Sequence, residues 1–309
     1  MKTKFAIYNY NFLRIIEPDT QTRIEFPDWE RVDAKVSFEQ RQLLLDELLT
    51  RDFDAPFPFE NAKKKRYWHR QIVRPEESVY VMRVANVTDV TITDENLTDR
   101  NYKDYRNCLV IIDNRPGIQR IAIERKTKAF SDTKTVANIL EASLSKLLRA
   151  KLLEVKLTAV YATHVFWETV QDYPLGFKKV RFHFPPLNLV RLKRVIDRYL
   201  NLAREDWDSD IDIAFNAREG GSVKIDRDNP RQKALVEGAA EAGVWVEMYP
   251  RDGKRKVIYC GKDQFVVQEI DEAVFQDLIS DHQGVIAQIG EAPMDKVKRF
   301  MKLIPEAFS

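Results

Sequence analysis

The spacing of apolar positions along the chain alternates between a period of two and a helical period. Residues 4–16 form an aromatic and β-branched run ended by Glu17-Pro18-Asp19, which predicts a first strand. An aperiodic stretch with Pro18 and Pro27 follows. Ser37 and Gln40 then make a capping box ahead of Leu44, Leu45, Leu48 and Leu49, predicting a helix over 37–51. Two prolines make 54–61 a loop. Residues 66–73 and 78–85 read as strands about Pro75-Glu76-Glu77, whereas 88–106 is polar with weak signals of order.

The best-specified piece is 107–163. Strands 107–113 and 118–126 flank Arg115-Pro116-Gly117-Ile118, with proline and glycine where a type II turn needs them. Ser131 or Asp132 caps a helix whose Val136, Ile139, Leu140, Leu144, Leu147 and Leu148 form one stripe. Leu153, Val155, Leu157, Ala159 and Tyr161 then alternate as a strand.

The pattern changes at Tyr173-Pro174-Leu175-Gly176 and again at Phe184-Pro185-Pro186, and this places a boundary between residues 1–174 and 175–309. Beyond it come strand 178–184, a helix over 188–204, strand 210–215 and a short strand over 222–226. Asn229, Pro230 and Gly243 bracket the next helix in the expected order of cap, first position and stop. Strands 244–249, 255–260 and 264–269 read as a meander, followed by helices near 271–280 and after Pro293. The class is α+β, with mixed sheets, a hairpin–helix–strand central unit and a C-terminal three-strand meander packed by helices.

Composition narrows the class of function. The 309 residues are 44% hydrophobic, enough to bury a substantial core. Fifty basic residues against 48 acidic leave a net charge of +2, so attraction to nucleic acid must come from local clusters. Cys108 and Cys260 lie far apart in apolar contexts, which fits buried thiols in a reducing compartment. No apolar run is long enough to cross a bilayer, and Asn9 and Asn11 interrupt a would-be signal-peptide core. The expectation is a cytoplasmic protein with no membrane partner.

Candidate chemistry is sparse. Asp113 followed by Glu124-x-Lys126 on consecutive strands resembles the motif of PD-(D/E)xK nucleases, although Ile112 stands where that family has proline. The resemblance implies Asp113 and Glu124 as ligands of magnesium or manganese, Lys126 as the catalytic lysine, and Glu39 or Glu47 as a helical acid. The turn sets a register that tests it. Asp113 falls opposite Arg120 and Leu109 opposite Glu124, so the two acids share a face but stand about 13 Å apart. In that register Asp113 is an ion-pair partner for Arg120.

Asp208, Asp210 and Asp212 alternate along one strand and could bind a cation, but no fourth ligand stands nearby, and a solvated face or salt bridges to neighbouring lysines is the plainer reading. His69, His164, His183 and His282 show no ligand spacing, and neither a phosphate loop nor a Gly-x-Ser-x-Gly elbow occurs. Two basic features remain. In the first, Lys63, Lys64, Lys65, Arg66 and Arg70 surround Tyr67 and Trp68, a mixture suited to phosphates and stacked bases, or simply to a charged edge strand. In the second, Arg191, Arg194 and Arg198 form a ridge on the 188–204 helix, which is also what an ordinary solvated face looks like.

The opening KFAIYNYNFLRI and the segment IIDNRPGIQRIAIERKTKAF resemble uncharacterised stand-alone proteins of bacterial phage-defence loci. The resemblance covers roughly the first half of the chain. It implies a soluble intracellular protein that senses, binds or cuts nucleic acid, or scaffolds a partner. Three functions follow as expectations: contact with DNA or RNA through basic-aromatic patches, a metal-dependent nuclease centred on Glu124, or an oligomeric scaffold using an apolar face of the terminal helix.

Overall fold

The structure is a computed structural model that describes residues 2–15, 38–93, 95–184, 211–252, 257–261, 266–282 and 292–302. It is α+β, with six α-helices and two sheets among the described residues. Two compact units divide it, the first holding 1–6, 14–156 and 269–302, the second 7–13, 157–268 and 303–309.

The first unit is built on a sheet. Strand β1 (Lys2–Arg14) leads to helix α1 (Phe38–Asp54), then β2 (Phe59–Glu60), β3 (Arg66–Gln71), β4 (Val79–Thr93), β5 (Asp99–Asp113) and β6 (Arg120–Glu124). Their order across the sheet is β1-β6-β5-β4-β3-β2. One face carries Tyr80, Met82, Val84, Cys108, Val110, Ile112, Ile121 and Ile123, all buried. Helix α2 (Thr133–Leu148) contributes Val136, Ile139, Leu140 and Leu144 to the same core, while Leu45 and Leu49 of α1 are fully buried. Asp132, not Ser131, is the N-cap of α2. Its carboxylate accepts the Thr135 N–H at 2.6 Å, and that bond, outweighing partial burial, holds its pKa below the ordinary carboxylate range.

The β5–β6 turn is type II as the sequence predicts. Ile118 N donates to the Arg115 carbonyl at 3.0 Å and Gly117 has φ 76°, a conformation that favours glycine. The register is also as expected, with Asp113 opposite Arg120. Residues 88–106 depart from expectation, since they pair in register from Val87–Tyr105 out to Thr93–Asp99 as an overhang of β4 and β5. Both faces of the overhang are largely exposed, so no core-facing alternation marks it in the sequence. Cross-strand pairs hold it instead, such as Asp89 opposite Lys103 and the Thr91 hydroxyl 2.7 Å from Asn101 Oδ1.

Strand β7 (Leu153–Ala159) and the later β12 (Val267–Asp271) both pair with β1. The third strand of the expected meander therefore leaves it for another sheet. The second unit holds helix α3 (His164–Asp172), which the sequence reading missed, β8 (Phe177–Phe184), β9 (Ile211–Asn216), α4 (Pro230–Ala242), β10 (Val246–Pro250) and β11 (Ile258–Cys260). The sheet order is β11-β10-β8-β9. Phe166 and Trp167 of α3 join Phe177, Val180, Phe182, Phe184, Val236, Ala239, Val246 and Met248 in the core. Residues 222–226 form no strand; Val223 N donates one bond to the Phe177 carbonyl.

Asn229 caps α4 by accepting from the N–H groups of Arg231 and Gln232, and Gly243 ends it at φ 70°. A Cβ on Gly243 would stand 2.7 Å from the Thr158 hydroxyl, so both space and conformation require glycine there.

Helices α5 (Ala273–His282) and α6 (Pro293–Lys302) complete the first unit. Met294, Val297, Phe300 and Met301 of α6 are buried, with the Phe300 ring 5.6 Å from that of Phe5. The apolar face expected to serve an oligomer is therefore taken up within the unit itself; Ile304 lies outside the described residues.

Candidate nucleic-acid interface

Asp113, Arg115 and Arg120 lie at one end of a sheet face and are bound into the fold. The Asp113 side chain is fully buried, and its carboxylate takes Arg115 Nη2 at 2.7 Å and Nε at 3.0 Å. The bond to Asp113 raises the Arg115 pKa further, against partial burial. Arg115 Nη2 also donates to the Lys298 carbonyl at 2.8 Å, and Arg120 Nη1 to the Met301 carbonyl at 3.0 Å. Arg120 thus satisfies a carbonyl in the last turn of α6, where the helix leaves acceptors open and its dipole favours cations, and Arg115 adds a bond to a carbonyl one turn earlier. Lys298, 7% exposed, is held by Glu76 at 2.5 Å and Glu77 at 3.1 Å; burial opposes its charge, and the two carboxylates outweigh burial to raise its pKa.

Glu124 is engaged elsewhere. Its Oε2 accepts the Leu109 N–H at 2.7 Å and Lys126 stands 4.0 Å from Oε1. Asp113 and Glu124 lie four residues apart on one face, about 13 Å by strand rise, and so do not converge on a shared metal. Among the described residues no group of three or more His, Cys, Asp and Glu side chains is placed to hold a metal ion. The magnesium or manganese that the nuclease motif implies does not fit this pair. Glu47 is exposed on α1, and the side chain of Glu39 lies outside the described residues. The Cys108 thiol, buried and near Glu124, has its pKa pushed up to about 12, which keeps it a neutral core group.

The basic run 63–70 is divided by the fold. Asn61 Oδ1 accepts the N–H groups of Lys63 and Lys65 at 3.0 and 2.9 Å, so the three lysines sit on an ordered, exposed turn. In β3, Arg66, Trp68 and Arg70 point outward while Tyr67, His69 and Gln71 point in. Tyr67 is only 8% exposed and packs near Phe130, which removes it as a stacking surface. Lys63 and Tyr67 also line a cleft of about 520 Å³ with α2 and β7 residues, among them Asn138, Glu141, Glu154 and Lys156.

His69 is buried against Asp52, 2.9 Å from Oδ1, and stacks on Phe59 at 3.8 Å. With both side chains at 2% exposure or less, the pair ties β3 to α1 and meets no solvent.

The outward side chains of β3 continue onto β4 and β5. Trp68 aligns with Ala85 and, through it, Asn107; Arg70 aligns with Arg83 and then Leu109. Trp68 is 63% exposed and Tyr105 44%. Their rings meet at 5.8 Å and 81°, so neither covers the other as a stacked pair would. Arg70 and Arg83 are exposed and directly opposite, and among the described residues neither has an ion-pair or hydrogen-bond partner. Like charges facing each other across strands cost stability.

Sequence reasoning missed Arg83. Pairing the strands symmetrically about Glu76-Glu77 would have set it opposite Arg70.

The second unit has an open face with similar ingredients and a different outcome. Arg181 binds both Asp212 and Glu247, His183 Nδ1 lies 2.6 Å from Asp212, and the Tyr249 hydroxyl donates to Glu247 at 3.0 Å. Arg181, then His183, hold the Asp212 pKa below the ordinary range against the opposing effect of burial. Asp208, Asp210, Arg191, Arg194 and Arg198 lie outside the described residues, as does the side chain of His282; His164 is exposed. Compared with known proteins, the chain matches no family model, no curated protein and no solved structure.

Proposed function

We propose that the chain binds nucleic acid on the open end of the first unit's sheet, through Arg70 and Arg83 with Trp68 and Tyr105 beside them. The observation that carries this reading is the Arg70–Arg83 pair. Two like charges are set directly opposite with no carboxylate of the described residues paired to either, an arrangement that an anionic ligand would relieve. The neighbouring aromatics favour an anion that also carries flat rings, which nucleic acid supplies. Lys63, Lys64 and Lys65 add positive charge on the ordered turn that precedes β3. A component that senses invading nucleic acid, as the resemblance to phage-defence proteins implies, would use a surface of this kind.

The test is fluorescence anisotropy with labelled DNA and RNA oligonucleotides across a salt series. Two phosphates neutralised by this pair would contribute roughly −1.4 for a single strand, or roughly −1.8 for a B-form duplex, to the slope of log K against log salt. The double variant R70E/R83E should weaken binding by at least about tenfold and flatten that slope. Unchanged affinity in the double variant, with an unchanged melting temperature, refutes the assignment.

A further inference from the structure

We infer that the nucleic acid taken by this face is single-stranded, held by a base stacked on Trp68 with that base's phosphate at Arg70 and the adjoining phosphate at Arg83. The inference rests on the binding reading above and adds the kind of strand. Trp68 leaves 63% of its surface in solvent, on a sheet whose next position, Ala85, carries only a methyl group. The indole face is therefore not walled in from β4. An exposed aromatic face engages a base only after that base has left its stack, and inside a duplex both faces of every base are covered by its neighbours.

The spacing of the cations agrees. Arg70 follows Trp68 by two residues on the same strand face, about 7 Å by strand rise, and Arg83 lies beside it on the next strand. That is the reach between a base and its own phosphate.

Charge beyond the platform points the same way. Past Tyr105 the same face of the overhang carries Asp89 and Asp99, with Lys103 opposite Asp89. A rigid duplex laid along β4 and β5 would bring further phosphates against those carboxylates, and a short flexible strand need not. The overhang thus works as an electrostatic stop that favours a ligand able to end or turn at Tyr105.

The experiment compares a fluorescein-labelled single-stranded oligonucleotide with a blunt duplex of the same length, using the full chain and its W68A and W68F variants. The single strand should bind at least about tenfold more tightly than the duplex. W68A should weaken single-strand binding by about 5- to 150-fold, while W68F, which keeps an aromatic face, should stay within a few-fold of the parent. Circular dichroism and melting temperature confirm that the variants fold. Equal affinity for duplex and single strand overturns the inference. So does a W68A variant that binds the single strand as the parent does while R70E/R83E does not; in that case the charge-based reading survives and stacking does not. If the parent chain binds neither ligand at low salt, the underlying reading fails with it.

Discussion

The two ends of one sheet face treat arginine in opposite ways. At the closed end Arg115 and Arg120 are built into the protein, Arg115 by the buried carboxylate of Asp113 and both by carbonyls near the end of α6. At the open end Arg70 and Arg83 have exposed guanidinium groups, aligned across two strands, with no partner among the described residues. The second unit supplies a third case, in which Arg181 lies on an open sheet face yet is taken up by Asp212 and Glu247. Exposure of an arginine therefore does not by itself mark a binding surface here. What separates Arg70 and Arg83 is that none of the described residues answers their charge.

The comparison breaks most visibly if the closed end is disturbed. Asp113→Asn removes the charge that holds Arg115 while leaving the guanidinium anchored on the Lys298 carbonyl. Losing one member of a buried pair costs about 3–5 kcal/mol, and Arg115 is 21% exposed, so a loss of about 3 kcal/mol is expected. The urea midpoint should fall accordingly, and nucleic-acid affinity of the folded fraction should be unchanged. A variant with unaltered stability would mean that Asp113 is not structural, and its place in the nuclease motif would need another explanation.

That outcome bears on how much the sequence could say. The β5–β6 hairpin was legible because Pro116 and Gly117 pin a turn type, and the turn type pins the register down to Asp113 opposite Arg120. The partner that holds Asp113 was not legible. Arg115 lies two residues away in the turn, and a local contact of that kind depends on the turn's exact path rather than on strand pairing. The overhang of β4 and β5 was illegible for a different reason: solvent on both faces erases the alternation that identifies a strand.

Within the basic run, alternation does separate Arg66, Trp68 and Arg70 from Tyr67, His69 and Gln71, yet composition suggested that both aromatics were available. Only the packing of α1 and α2 decides that Tyr67 and His69 face inward. Arg83 escaped notice because it stands alone in an apolar stretch, and only strand pairing brings it to Arg70.

A smaller effect is expected where an exposed arginine is already neutralised. Arg181→Ala leaves Asp212 and Glu247 without their shared cation on a partly exposed face, so it should lower the melting temperature slightly, by much less than Asp113→Asn. It should not change nucleic-acid binding. The sign of its pH dependence is also fixed. The Asp212 pKa is lowered in the folded protein by Arg181 and then His183, so the pair stabilises above the ordinary carboxylate pKa and loses that contribution as pH falls through the lowered value. The parent and R181A should therefore differ in stability near neutral pH and converge in acid. A difference that grows in acid would contradict the pairing.

The smallest effect has the opposite sign. Replacing Arg83 by threonine removes a like charge facing Arg70 and places a β-branched residue on a strand, so the free protein should gain about 0.3 kcal/mol. The same change should weaken nucleic-acid binding and lower its salt dependence by about one phosphate's worth, roughly 0.7 in slope for a single strand. Paired measurements of urea midpoint and salt-dependent anisotropy on one preparation read both quantities. A residue kept for the fold would lose stability on replacement, as Asp113 is expected to do. A residue kept for a ligand loses affinity while the free protein is unharmed or improved, and Arg83 belongs to that second kind only if both signs are observed together.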